Sequence, residues 1–96
     1  MTLLRHCLEV DGGGVRPGRH FRDELAAEGL LLSDAFHVLE TGCIYDPPEF
    51  DVKWREWKYR VEGREPGGVY LAIILTFRSE DLAFLITVFS IERLSK

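Results

Sequence analysis

Three segments with strand-like patterns in the C-terminal half, separated by turn-forming residues, constrain the fold of this chain more than any other feature. The first, EWKYRVEG (56–63), alternates apolar and charged residues with the period of two that is typical of a half-buried β-strand. The next two, VYLAIILTF (69–77) and LAFLITVFSI (82–91), are apolar on both faces, as expected for strands in a well-covered sheet. The pattern predicts strands over about 55–62, 69–78 and 83–91. Glycine, proline and acidic residues between them predict hairpin connections.

The N-terminal half carries helical rather than strand-like periodicity. Apolar residues at helical spacing predict three helices, over about 2–10, 20–29 and 34–41. Ser33 and Asp34 are expected to cap the start of the third helix. Gly29 and Gly42 follow the last two helices, where a left-handed C-terminal residue is common.

The remaining segments connect these elements. Residues 15–18 are expected to be extended, and the two prolines of CIYDPPEFDV (43–52) predict an exposed connection or an edge strand. Helices followed by a meander predict an α+β fold, with N-terminal helices packed on a C-terminal antiparallel β-sheet. The 96 residues suit a single domain, 1–96, in which an N-terminal helix and glycine-rich loop (1–14) precede a core at 15–91.

The charge distribution is uneven. The whole chain has a net charge of −4, whereas residues 53–64 hold five basic and two acidic residues. An acidic chain is unlike a dedicated nucleic-acid-binding domain, although a local basic stripe is able to bind phosphate. The longest strongly apolar region, 69–77, is about half the length of a membrane-spanning helix, so no membrane contact and a cytoplasmic location are expected.

The sequence offers little for a metal or a nucleotide. Cys7 and Cys43 are far apart, and the histidines and cysteines lack the short spacings of a zinc site. The run Gly12-Gly13-Gly14 lacks the lysine of a phosphate-binding loop. We therefore expect neither a metal nor another cofactor.

The order of short motifs along the chain resembles a known bacterial family. The segments are HFRDEL (20–25), EGL (28–30), SD (33–34), VLETG (38–42), IYDPPE (44–49), WKYRVEG (57–63) and LITVF (85–89). Together they resemble the family called domain of unknown function 4258, over roughly residues 15–91. That family is similar in fold to the RelE-like and MqsR-like toxins of toxin–antitoxin systems, a RelE/barnase-like fold. The resemblance implies a small ribonuclease that cleaves RNA without a metal, or a weakened descendant of one.

Metal-independent RNA cleavage needs a proton-transfer group and cations directed at the phosphate. We predict that His20 transfers protons, that Lys58 and Arg60 clamp the phosphate, and that Arg78 and Thr87 complete the catalytic site. Further RNA contacts are predicted at Lys53, Arg55, Arg64 and Tyr70. The alternatives are a packing role for His20 and Tyr70, and a solvated strand face in which Glu56 and Glu62 balance the basic residues.

A second hypothesis is a protein-interaction module without catalysis. The acidic overall charge and the aromatic residues Phe50 and Trp54 suggest an interface at the edge near 44–52. Family members often occur beside a small zinc-binding, antitoxin-like protein, so the resemblance implies either that partner or a homo-oligomer.

Overall fold

The three strands predicted in the C-terminal half form the centre of a five-stranded sheet. The computed structural model describes residues 2–10 and 14–91. In chain order, its elements are α1 (Thr2–Glu9), β1 (Val15–Pro17), α2 (Arg19–Ala27), α3 (Leu32–Thr41), β2 (Glu49–Asp51), β3 (Glu56–Arg64), β4 (Tyr70–Ser79) and β5 (Leu82–Ser90). The strand order is β1-β5-β4-β3-β2, so the short strands β1 and β2 form the edges. The protein is thus a mixed α/β fold with three described helices.

The sheet is mixed, whereas an antiparallel sheet was predicted. Strands β2 to β5 are antiparallel to their neighbours, but β1 pairs with β5 in parallel. The Gly18 N–H donates to the Leu85 carbonyl over 2.9 Å, and the Ala83 N–H donates to the Gly14 carbonyl over 2.8 Å. A three-residue run between a loop and a helix carries too little pattern to reveal this pairing from sequence.

All three helices pack on one face of the sheet. The fully buried side chains there include Phe21 of α2, Val38 of α3 and the strand residues Ile73, Leu75 and Leu85. The alternate residues of β3 and β4 consequently lie on the opposite face, which we call the outer face. The outer face carries charged residues such as Arg60 together with apolar ones such as Ile74 and Phe89.

The ends of the predicted helices differ in detail from the prediction. Gly29 is left-handed as expected, with φ of 73°. Gly42 is not, since its φ of −77° and ψ of −179° are extended. A glycine is needed at Gly42 for a different reason: a Cβ atom would lie 2.5 Å from the Glu62 carbonyl oxygen, where α3 meets β3.

The third helix begins two residues earlier than predicted. Its N-cap is Leu31, not Ser33, and Asp34 accepts a 2.8 Å hydrogen bond from the Leu31 N–H. The predicted acidic residue, Asp34, therefore accepts a hydrogen bond at the helix N-terminus from within the first turn.

Among the described residues, no helix is long and apolar enough to span a membrane.

The first half of β3 also differs from the prediction. The alternation of EWKYRVEG was expected to bury Trp57 together with Tyr59 and Val61. Val61 is buried and Tyr59 is half-buried, but 52% of Trp57 is exposed. Trp57 pairs with Phe50 of the short edge strand β2, and about half of it stays exposed to solvent.

Candidate functional site

The outer face carries the predicted basic residues in cross-strand rows. Arg60 of β3 pairs with Ile74 of β4, which pairs with Thr87 of β5. The neighbouring row is Glu62, Ala72 and Phe89. The structure therefore places Arg60 and Thr87 at the two ends of one row on the sheet.

The three cations predicted in the catalytic site, Lys58, Arg60 and Arg78, each lie beside a carboxylate. Lys58 Nζ is 2.7 Å from Asp51 Oδ2, and Arg60 Nε is 2.8 Å from Glu62 Oε2. Arg78 Nη1 is farther from its partner, at 3.7 Å from Glu56 Oε1. A phosphate would have to compete with these carboxylates for the same cations.

Glu62 balances Arg60, as the alternative interpretation of this strand face expected, but its carboxylate is buried rather than solvated. Only 3% of Glu62 is exposed, and its Oε1 accepts a 3.1 Å hydrogen bond from the Tyr70 hydroxyl. Ala72, next to it in the row, is fully buried although it lies on the outer face. The small side chain of Ala72 leaves the space in which Arg60 crosses toward the Phe89 ring, 5.3 Å away.

Two further arginines of the outer face also stack on aromatic rings. Arg78 Cζ lies 4.5 Å from the Phe84 ring centre, and Arg64 Cζ lies 5.6 Å from that of Tyr70. Arg64 also donates a 2.8 Å hydrogen bond to the Gly68 carbonyl. Stacking of this kind holds a guanidinium group in place.

His20 and Thr87 meet through a residue that the sequence did not single out, Glu24. His20 Nε2 is 3.3 Å from Glu24 Oε2, while the Thr87 hydroxyl and the Val88 N–H both donate to Glu24 Oε1. Glu24 thereby accepts hydrogen bonds from the part of β5 that β1 does not cover, because β1 pairs with β5 only at residues 83–85. His20 itself is highly exposed on α2. Its partner Glu24 therefore has a structural role, which is to cover the edge of β5.

The remaining predicted RNA contacts lie at the turn between β2 and β3. Lys53 Nζ is 5.3 Å from the Trp54 ring centre, and Arg55 has a positive φ of 53° within the turn. Lys58 and Arg78 border a shallow depression on the outer face together with Trp54. The predicted site residues thus fall into three groups: one around Lys58 and Arg78, one around Glu62 with Arg60, Arg64 and Tyr70, and one around Glu24.

Asp51 ties the edge strand β2 to β3. The hydrogen bond from Lys58, together with one from the Trp54 N–H, lowers the pKa of the Asp51 carboxyl below its ordinary value. The charged form of Asp51 is therefore the form that supports the hairpin of β2 and β3 (49–64).

The hairpin and the connection that precedes it concentrate exposed apolar side chains. Of ten large hydrophobic residues exposed in the described part of the chain, five lie within residues 45–57, and they are Tyr45, Phe50, Val52, Trp54 and Trp57. We call these five residues the hairpin patch. The Phe50 and Trp57 rings contact each other edge to face, with centroids 5.2 Å apart. Clustered exposed aromatic residues are typical of protein interfaces.

A pocket of about 580 Å³ opens on the helix side of the sheet, next to the hairpin patch. Its walls come from α1, the end of α3, the following connection and β3, and include Leu4, Leu8, Leu39, Ile44, Pro48 and Tyr59. Cys43 lies at this pocket and pairs with Glu62 through two backbone hydrogen bonds of 2.8 and 2.9 Å. Tyr59 and Trp57 share one face of β3, so the pocket continues into the hairpin patch.

The two cysteines differ in environment. Cys43 is exposed, whereas Cys7 is buried, and burial together with the nearby Asp81 raises the pKa of the Cys7 thiol. Cys43 is therefore the more accessible thiol for chemical modification.

Comparisons with protein-family models, with curated proteins and with solved structures found no match.

Proposed function

We propose that this chain is a protein-interaction module that binds a partner protein through the hairpin patch. The observation that carries the proposal is that half of the exposed large hydrophobic side chains in the described part of the chain fall within residues 45–57. Apolar anchors of this kind are commonly desolvated when a partner binds.

The geometry of the hairpin supports this role. Phe50 and Trp57 lie on the helix side of the sheet, and Trp54 borders the depression on the outer face. The hairpin therefore exposes large aromatic rings on both faces near its turn at residues 52–55. A partner that surrounds the hairpin would bury all three rings, whereas the isolated chain leaves between 47% and 66% of each residue exposed. The family resemblance adds a small zinc-binding protein as one class of partner.

A capture experiment with a matched control tests the proposal. Immobilised wild type, the double variant Trp54→Ser/Trp57→Ser and the control Leu31→Ser/Leu32→Ser are exposed to proteins of the native cell. Leu31 and Leu32 are exposed at the start of α3, away from the hairpin. We expect one protein to be retained in stoichiometric amount by the wild type and the control, and lost with the double variant. Equal retention on all three would contradict the proposal.

A second proposal is RNA binding by the outer face, and the observation that favours it is the set of three arginine–aromatic stacks. Arg60, Arg64 and Arg78 lie against rings of β4 and β5 on one sheet face. Aromatic and guanidinium planes are surfaces on which RNA bases stack. On this proposal the fold is RelE-like and the chain is a metal-independent ribonuclease or its weakened descendant.

The carboxylates beside Lys58, Arg60 and Arg78 would compete with an RNA phosphate, so RNA binding is the less favoured proposal. Phosphate binding would require Arg78, the cation with the longest ion-pair distance, to exchange Glu56 for the ligand. Its test is binding and cleavage of single-stranded RNA by the wild type and Arg78→Ala at several salt concentrations. We expect the variant to bind more weakly with a shallower salt dependence. Absence of RNA binding by the wild type at low salt would exclude it.

A further inference from the structure

The pocket beside the hairpin patch has the size and lining of a binding site. Its volume of about 580 Å³ lies within the range of roughly 300–1,000 Å³ that is typical of ligand sites. Aliphatic side chains of α1 and α3 form one wall, and Tyr59 and Val61 of β3 form another. The inner surface is therefore more apolar than polar, and its charged groups are Arg5, Glu9 and Glu40.

The surroundings of the pocket are acidic. Residues 38–52 contain Glu40, Asp46, Glu49 and Asp51 but no lysine or arginine. Asp51 is neutralised by Lys58, whereas Asp46 and Glu49 are exposed. An apolar pocket bordered by carboxylates suits an apolar group whose neighbours are positively charged.

Continuity with the hairpin patch identifies the pocket as part of the same surface. Ile44 and Pro48 line the pocket, and Tyr45 of the patch lies between them in the chain. Tyr59 connects the pocket to Trp57 along one face of β3. A ligand that covers the patch can therefore also place a side chain in the pocket.

We propose that the pocket receives large apolar side chains of a basic amphipathic segment of the partner protein, whose lysine or arginine residues face the carboxylates at 40–49. This inference rests on the proposed interaction function and names the chemistry of the partner. A second copy of the chain does not fit, because pairing two such edges would bring acidic residues together.

Two synthetic peptides test the charge requirement. They share one helical pattern of leucines with a single tryptophan, and they differ only in carrying lysines or glutamates at the polar positions. We expect the lysine peptide to bind and to shift the amide resonances of Leu8, Leu39 and Tyr59, and its affinity to fall with added salt. Equal binding of both peptides, or shifts confined to other surfaces, would overturn the inference.

Cys43 provides a reversible plug for the pocket. A mixed disulfide with benzyl thiol at Cys43 should weaken binding of the lysine peptide by about tenfold or more, and reduction should restore it. Cys43→Ser treated with the same reagent is the control, and it should bind the peptide before and after treatment. Unchanged binding to the plugged protein, with its fold verified by circular dichroism, would overturn the inference.

The two proposals fail in different ways. If the native partner is lost from Trp54→Ser/Trp57→Ser but still binds the plugged protein, the interaction function stands and the pocket inference falls. If no partner distinguishes the patch variant from the control, the interaction function itself falls.

Discussion

Arg60 Nε lies 2.8 Å from Glu62 Oε2, and this pair joins a partly exposed arginine, whose Nε is buried, to a carboxylate that is almost fully buried. Two residues of one strand face, which the alternation of the sequence presents as equivalent, thus have different environments. Removal of the arginine leaves a buried charge with one partner fewer, and removal of a buried charge's partner is more costly than loss of an exposed ion pair.

We expect Arg60→Ala to lower the free energy of unfolding by about 2–3 kcal/mol, since a buried carboxylate loses its cation. Lys58→Ala, which breaks a more exposed pair, should cost about 0.5 kcal/mol or less. Urea denaturation measures both. Arg60→Ala/Glu62→Gln should recover most of the loss, because the buried charge is removed as well. Equal losses for the two single variants would contradict this account of the strand.

Asp51 makes stability depend on acidity. Its pKa is lowered in the folded protein, chiefly by Lys58, so the charged carboxylate stabilises the fold at pH values above its ordinary pKa. That contribution is lost as the pH falls from about 4 through the lower folded value. Wild type should therefore lose stability more steeply than Asp51→Asn on acidification in this range. Parallel stability curves for the two proteins would show that the contact contributes nothing.

Tyr59 and Trp57, two residues apart on β3, should respond differently to truncation. Tyr59 is half-buried and packs edge to face on Phe77 at 5.2 Å, so Tyr59→Ala should cost about 1.5–2.5 kcal/mol, below the range for a fully buried aromatic. Trp57→Ala should cost less, about 1 kcal/mol or less, because about half of Trp57 is exposed. Chemical denaturation of both variants provides the comparison. A larger loss for Trp57→Ala would mean that its ring is part of the core.

The elements could be predicted from sequence because their signals are local. The three central strands follow from the period of two and the turn residues, and Gly29 follows from its place after a helix. Contacts across long sequence distances could not be predicted. Glu24 meets Thr87 from a different element, and the pocket combines α1, α3 and β3. The burial of Glu62 depends on Ala72 beside it, which no strand alternation reveals.

The basic residues lie on one strand face as predicted, and two of the carboxylates beside them, Glu56 and Glu62, are the ones that the alternative interpretation named. Lys58, Arg60 and Arg78 do share the outer face, yet Asp51, Glu62 and Glu56 lie beside them. The composition of residues 53–64 suggested a cationic stripe because the sum of charges ignores Asp51, which comes from the neighbouring strand. Their predicted role in catalysis stays a prediction.

Site-specific photocrosslinking tests the interaction function most directly. A photoreactive phenylalanine analogue is placed at Trp57 in the hairpin patch, and at Arg22 on the exposed side of α2 as the control, in protein expressed in its native cell. We expect one discrete crosslinked product with a partner protein from position 57 and none from position 22. No product from position 57, or the same products from both positions, would contradict it.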